Sequence, residues 1–138
     1  EAANIFGSQC VVLSVDAKKI SDNKWEAYTD GGREKTGIDA IEWIKKAIQL
    51  GAGEVLITSI DRDGTKEGYE MELINEVASF ARVPLIAHGG AGNMSSIREV
   101  VSSGGIDAVS ASSVFHYGDF SVNSLKNYLF RNNIHVRF

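Results

Sequence analysis

The most constraining feature of the sequence is a short apolar run that changes abruptly into a polar loop. Residues 54–60 carry mostly aliphatic and β-branched side chains, which is typical of a buried strand. Residues 61–67 that follow combine Asp, Arg, Gly, Thr, Lys and Glu, a composition too polar for a core. The polar segment therefore lies at the carboxyl end of a strand.

The same order of strand, loop and helix recurs along the chain. Further strands are predicted at residues 10–19, 84–88 and 108–112, and helices at 36–50, 70–81, 94–103 and from 121 onward. Residues 20–37 are predicted to form a long loop with room for a short hairpin, and residues 113–118 one helical turn. Such alternation predicts an α/β fold with a parallel sheet and right-handed crossovers. Four regular (βα) units predict half of a (βα)8 TIM barrel, and an open four-stranded sheet is the alternative.

Composition narrows the classes of function. The 138 residues suit one domain, the net charge is −4, and the 14 Lys and Arg are scattered, so a nucleic-acid partner is not expected. No apolar run approaches the roughly 20 residues that a membrane helix needs, so no membrane association is expected. A single cysteine, Cys10, excludes an internal disulfide framework and, together with the lack of metal-ligand spacing, predicts no metal site and a cytoplasmic protein. The chain begins at Glu1 with what resembles the tail of a helix, so an upstream segment is expected.

The carboxyl ends of parallel strands meet at one edge of a sheet, where barrel enzymes place their active sites. Asp16, the loop at 61–65, His88 and the pair Ser112-Ser113 all follow predicted strands. We therefore expect these residues to surround one opening at the carboxyl-terminal edge of the sheet, which we call the mouth.

Two segments at this mouth are suited to binding an anion. Gly89, Gly90 and Gly92 precede a predicted helix, and glycines let backbone amides approach a phosphate closely. Ser112 and Ser113 precede a helical turn on the neighbouring strand. Either segment alone is equally consistent with a tight turn, but two adjacent segments of this kind favour a phosphate site.

Other candidates have a structural interpretation beside the functional one. Asp16 closes an apolar strand and is suited to proton transfer, or it caps a loop or pairs with a neighbouring lysine. His88 is a base, a phosphate donor or a hydrogen-bonded structural residue. Asp63 belongs to an Asp-x-Asp-Gly sequence, and since Asp and Gly favour turns, this residue is equally consistent with a purely structural turn. Cys10 lies away from the mouth and is predicted to belong to the core.

Taken together, these segments resemble the cyclase subunit of imidazole glycerol phosphate synthase. The run Ser-Ile-Asp-Arg-Asp-Gly-Thr at 59–65 is the most specific part of the resemblance. The similar segments occur in the family's order and span nearly the whole chain: 7–9, 15–18, 51–54, 58–65, 89–92 and 111–116. The resemblance implies the C-terminal half of the barrel, units five to eight, as a single domain over residues 1–138.

The resemblance implies an ammonia-dependent lyase of histidine biosynthesis that needs no cofactor. A glutaminase partner supplies ammonia, and a substrate with two phosphates yields imidazole glycerol phosphate and an aminoimidazole carboxamide ribotide. Asp16 matches one of two catalytic carboxylates, and Glu54 matches a charged gate for ammonia, although an exposed charge at a strand start is the simpler interpretation. The matching substrate and phosphate positions are Thr58, Asp63, Gly64, Gly89, Gly90, Ser112 and Ser113.

Two expectations follow from what the resemblance leaves out of this chain. The second catalytic carboxylate belongs to the family's first strand, so we expect the 138 residues alone to bind phosphate with little turnover, paired with a complementary half-barrel or self-associated. His88 replaces the serine usual in the biosynthetic enzymes. This change keeps open a paralogue that supplies amidation in surface-polysaccharide sugar synthesis, and a non-catalytic phosphate-binding half-barrel is a further alternative.

Overall fold

The computed structural model describes all residues, 1–138, as one six-stranded sheet with helices packed on one of its faces. A 3-10 turn, Ser8–Cys10, precedes the first strand. The strands are β1 (Val12–Ser21), β2 (Lys24–Thr29), β3 (Glu34–Asp39), β4 (Glu54–Ser59), β5 (Leu85–His88) and β6 (Ala108–Val109). The helices are α1 (Ala2–Phe6), α2 (Ala40–Gln49), α3 (Met71–Phe80), α4 (Met94–Ser102), α5 (Ser113–His116) and α6 (Val122–Arg131).

The sheet contains the four predicted parallel strands. Its order is β3-β2-β1-β4-β5-β6, and β1, β4, β5 and β6 run parallel. A helix follows β4, β5 and β6 directly, and α2 follows β1 after the strands β2 and β3, which is the (βα) repeat expected from the sequence with an insertion in its first unit. The predicted α/β class is therefore confirmed.

The segment predicted as a long loop is instead a β-hairpin that extends the sheet. β2 pairs antiparallel with β1 and with β3. Trp25 and Ala27 are buried and alternate with the half-buried Glu26 and Tyr28, which anchors the hairpin in the core. The turn uses three successive residues with positive φ, Asp30, Gly31 and Gly32. Alternation in a short segment signalled this hairpin, but the sequence did not show that it would lengthen the sheet.

Two faces of the parallel strands have different environments. Side chains from alternate positions, such as Val15, Ile57 and Leu85, pack against α2 and α3 in one apolar cluster. Ala87 joins a second cluster with side chains from α3, α4, α5 and α6. The intervening residues, among them Leu56, lie on the opposite face and are only half-buried. This second face, which we call the open face, has no helix packed on it.

Several predicted boundaries were wrong. β1 begins at Val12 rather than at Cys10, because Gly7 with positive φ starts the Ser8–Cys10 turn, and Cys10 is exposed rather than in the core. Thr36 belongs to β3, and α2 is capped by Asp39, whose side chain accepts hydrogen bonds from the amides of Ile41 and Glu42. β6 ends at Val109, which leaves residues 110–112 free to line the mouth.

Candidate functional site

The loops that follow β4, β5 and β6 enclose one cavity of about 190 Å³ at the mouth. This volume equals that of about six water molecules in the liquid, so a phosphate group fits. The cavity brings together six of the predicted site residues with four neighbours, and its lining is Asp63, Gly64, His88, Gly89, Gly90, Ala91, Ser110, Ala111, Ser112 and Ser113.

Most of the backbone amides in this lining have no acceptor within the protein. Three of these amides belong to the buried residues Gly89, Gly90 and Ala91, and since buried amides are nearly always paired with an acceptor, their grouping around one cavity is a binding feature. Successive free N–H groups of this kind form concave anion sites. The unpaired amides are those of Gly64, Gly89, Gly90, Ala91, Ala111, Ser112 and Ser113.

A side-chain cap lies at the N-terminus of α4, the helix that follows the glycine turn. Asn93 caps that helix by accepting a hydrogen bond from the Ser96 amide, at 2.9 Å, and Asn93 does not line the cavity. The glycine turn before the helix therefore contributes its own amides, while the amide of the first helical turn is satisfied by the cap.

A close contact between two loops fixes the shape of the cavity. The amide of Gly68 donates to the carbonyl of Gly90 at 2.8 Å, which joins the loop after β4 to the glycine turn after β5. A side chain at Gly90 would collide with the carbonyl oxygen of Gly68, and one at Gly89 would approach the carbonyl oxygen of Ser59 to 2.7 Å. Both glycines also have positive φ. Glycine is therefore required here by packing as well as by conformation.

Three polar side chains lie in one row across the open face, beside the cavity. Strand register places Asp16 opposite Thr58 and Thr58 opposite His88. The Thr58 hydroxyl lies 3.3 Å from Nδ1 of His88. Since neighbouring strands are about 4.8 Å apart, Asp16 stands roughly 10 Å from His88 and outside the cavity lining.

The carboxylate of Asp16 makes no ion pair or hydrogen bond within the chain. The lysines proposed as its structural partners are engaged elsewhere: Lys19 pairs with Glu72, and Lys18 lies over the ring of Tyr28. The hydrogen bond with Glu72 raises the pKa of Lys19. Asp16 does not close its strand as predicted, because β1 continues to Ser21 and pairs there with β2, but it is half-buried on the open face in register with Thr58 and so is available to a ligand.

Asp61, by contrast, is a structural residue. Its carboxylate accepts a hydrogen bond from the amide of Lys19 at 2.8 Å and so ties the loop after β4 to the end of β1. Of the two aspartates in this loop, Asp63 alone lines the cavity.

Sequence reasoning missed Tyr69 altogether. Its hydroxyl donates to the carbonyl oxygen of Ser110 at 3.1 Å, beneath the lining of the cavity, and burial raises the pKa of Tyr69 to about 12. Ser110 was expected to be a strand residue, and it lines the cavity only because β6 is short. An aromatic residue just before a helix gave no signal of this contact.

Glu54 lies at the opposite end of the open face. It is the first residue of β4, is half-buried, and stands opposite the exposed Val12. Four residues of strand separate it from Thr58, a distance of about 13 Å. Glu54 is thus remote from the cavity and takes no part in its lining.

A comparison with known families matches this architecture. The sequence model of the family described as "Histidine biosynthesis protein" matches residues 1–121. The chain belongs to the histidine biosynthesis protein family. Members of this family are TIM barrels, and the four parallel (βα) units of this chain have the size of half such a barrel.

The family match supports a barrel of histidine biosynthesis in general. It does not favour the sugar-amidation or non-catalytic alternatives that His88 and the half-barrel left open. None of the helices combines the length and the apolar character needed to cross a membrane. The structure also holds no group of three or more His, Cys, Asp or Glu side chains placed to bind a metal ion.

Proposed function

We propose that this chain provides the phosphate-anchoring half of an ammonia-dependent cyclase that forms imidazole glycerol phosphate and releases an aminoimidazole carboxamide ribotide. The observation that carries the proposal is the cavity whose lining amides have no acceptor, with a free carboxylate in the adjacent row. A phosphate anchored in the cavity would extend its substrate across the open face toward Asp16.

Asp16 is the proposed general acid and base. Addition of ammonia to a carbonyl needs a proton at the carbonyl oxygen, and ring closure and release of the second product need further proton transfers. A carboxyl group with no partner in the chain is free to give and take these protons. The opposing carboxylate that the resemblance implies belongs to the family's first strand, so turnover requires a complementary half-barrel.

The proposed partners follow from the open face. Its apolar residues include Val12, half of whose surface is exposed, and Leu56. We assign this face to a complementary half-barrel or, in its absence, to a second copy, because an uncovered sheet face of this kind promotes association. A stable monomer in sedimentation at micromolar concentration would contradict this assignment.

Ammonia supplied by a glutaminase subunit would enter from the end of the sheet opposite the mouth. Glu54 stands at that end, about 13 Å along β4 from Thr58. Its carboxylate makes no ion pair in the chain, which suits a gate that repels anions and lets a neutral molecule pass. A cytoplasmic location is part of the same proposal.

The direct test of the phosphate site is calorimetry with inorganic phosphate and glycerol 3-phosphate. Ser113→Asp places a negative charge in the cavity, and we expect it to abolish binding. Ser102→Asp is the matched control, because Ser102 is exposed at the end of α4 and outside the cavity. Equal binding by both variants, or no binding by the unmodified chain, would overturn the site.

The catalytic assignment is tested by ammonia-dependent turnover. We expect the 138-residue chain alone to be inactive, and the assembled barrel to lose about 10²-fold or more of its kcat/KM with Asp16→Asn. Asp22→Asn removes an exposed carboxylate beyond the mouth and serves as the control. Turnover by the chain alone would contradict the requirement for a second carboxylate.

A further inference from the structure

The cavity proposed to bind phosphate lacks a fixed positive charge. Its lining contains one carboxylate, Asp63, and no lysine or arginine. The neighbouring cations are all engaged with carboxylates: Lys19 with Glu72, Arg62 with Glu67 and Glu70, and Lys66 with Asp119. A doubly charged anion in this cavity would therefore meet neutral amides and hydroxyls beside a carboxylate.

His88 is the single residue of the lining that can carry a positive charge near neutral pH. Its Nδ1 faces the Thr58 hydroxyl at 3.3 Å, and its Nε2 has no partner in the chain. A threonine hydroxyl can accept a hydrogen bond from a protonated Nδ1 or donate one to a neutral Nδ1. The contact with Thr58 can therefore hold the ring in place in both protonation states.

We infer that His88 is an anion-binding residue whose imidazolium pairs with the anion in the cavity, so that affinity rises as the ring gains a proton. This inference rests on the proposed phosphate site and adds to it a dependence on pH. Hydrogen bonds from a charged donor are about twice as strong as neutral ones, and here the added charge also offsets Asp63. His88 is then the switch that sets how tightly phosphate is held.

The charged groups that face His88 from neighbouring elements are both acidic. Asp63, from the loop after β4, lines the same cavity, and Asp16, from β1, lies two strands away in the same row. The elements on the β6 side contribute the serines Ser110, Ser112 and Ser113, which do not titrate. A nearby carboxylate favours the protonated form of an imidazole, and Asp63 is the carboxylate that shares the cavity with the ring.

Sulfate is the probe that separates this effect from the titration of phosphate itself, because it stays doubly charged where histidine titrates. Calorimetry at about pH 5.5 and pH 8 brackets the titration of an ordinary histidine near 6.5. We expect sulfate affinity to be roughly tenfold higher at the lower pH. His88→Gln, which keeps a neutral donor, should remove this pH dependence, and the matched control His135→Gln, on an exposed residue outside the cavity, should retain it.

A second measurement needs no variant. The ring signals of His88, His116 and His135 can be followed by NMR through a pH titration with and without sulfate. By linkage, an anion that prefers the imidazolium must shift the titration midpoint of His88 to higher pH. The midpoints of His116 and His135, which do not line the cavity, should stay where they are.

The outcomes distinguish this inference from the proposal beneath it. Sulfate binding that weakens with rising pH, together with a shifted His88 midpoint, supports the role of His88. Binding with no pH dependence and an unmoved His88 midpoint overturns that role and leaves the phosphate site intact. Absence of binding by both sulfate and inorganic phosphate at either pH overturns the phosphate site and the inference together.

Discussion

Alternate residues of the same strands have different tasks on the two faces of the sheet. On the helix-covered face Val15, Ile57 and Leu85 are fully buried and apolar. On the open face, the row one position further along β1, β4 and β5 is Asp16, Thr58 and His88, near the carboxyl ends of β4 and β5. Because side chains alternate along a strand, one short segment can serve stability and chemistry at once. Substitutions at residues one position apart along a strand should therefore have different effects, on stability for the covered face and on ligand binding for the open face.

The largest expected difference is between Ile57 and Leu56. Ile57 is 1% exposed and packed under α2 and α3, so Ile57→Ala should cost about 2–5 kcal/mol in the free energy of unfolding. Leu56 is half-buried on the open face, and Leu56→Ala should cost less than about 1 kcal/mol. Urea unfolding of the two variants measures both values. Equal losses would mean that the open face is packed as tightly as the covered one.

The ionisation of Tyr69 tests whether the apolar core on the helix-covered face extends beneath the mouth. Burial disfavours the ionised phenol, so the folded-state pKa of about 12 lies above the unfolded value of 10. Stability is therefore unaffected by this group below pH 10 and is lost as pH rises from 10 to about 12, by roughly 3 kcal/mol in total. Tyr69→Phe should lack this loss.

Comparing the unmodified chain with the Tyr69→Phe variant separates the effect of the tyrosine from that of other titrating groups. Below pH 10 we expect the unmodified chain to be about 1 kcal/mol more stable, because Tyr69→Phe removes the hydrogen bond to Ser110. Above pH 10 the difference should shrink and then reverse. Lys19 and Lys45 lose their charge in the same range in both proteins, so their effects cancel. Parallel stability curves up to pH 12 would contradict the burial of Tyr69.

Substitution of Gly90 tests whether the contact between the two loops shapes the phosphate cavity. Gly90→Ala combines a left-handed conformation with a collision against the carbonyl of Gly68, at a cost of about 1–3 kcal/mol and with weaker phosphate binding. Gly104→Ala is the control, because Gly104 also has positive φ but open space around it. Thermal unfolding and calorimetry give the two readouts. Equal stability and equal phosphate binding of both variants would contradict the role of the contact between Gly90 and Gly68 in shaping the cavity.

The fold and the site differed in how far the sequence predicted them. Apolar runs and helical periodicity located the four (βα) units, because burial of a whole element leaves a long pattern. The short hairpin in residues 20–37 was allowed for, but its extension of the sheet beyond β1 was not predicted, and the exposure of Cys10 was missed because β1 begins two residues later than expected. Local pattern alone does not fix such boundaries.

The site was predicted where residue type alone suggests the chemistry. Gly89, Gly90, Ser112 and Ser113 were singled out as anion-binding residues, and they line one cavity. The unpaired amides and the contact of Tyr69 with Ser110 could not be read from the sequence, because a missing or distant hydrogen-bond partner is a property of the folded chain.

The most direct test of the central claim is an NMR titration of the uniformly ¹⁵N-labelled chain with inorganic phosphate. We expect the largest amide shifts at the cavity-lining residues with unpaired amides, namely Gly64, Gly89, Gly90, Ala91, Ala111, Ser112 and Ser113. Amides of exposed cationic segments, such as those near Arg98 and Arg131, should move little. Shifts concentrated at those cations, with the cavity amides unmoved, would contradict the claim that these loops form the phosphate site.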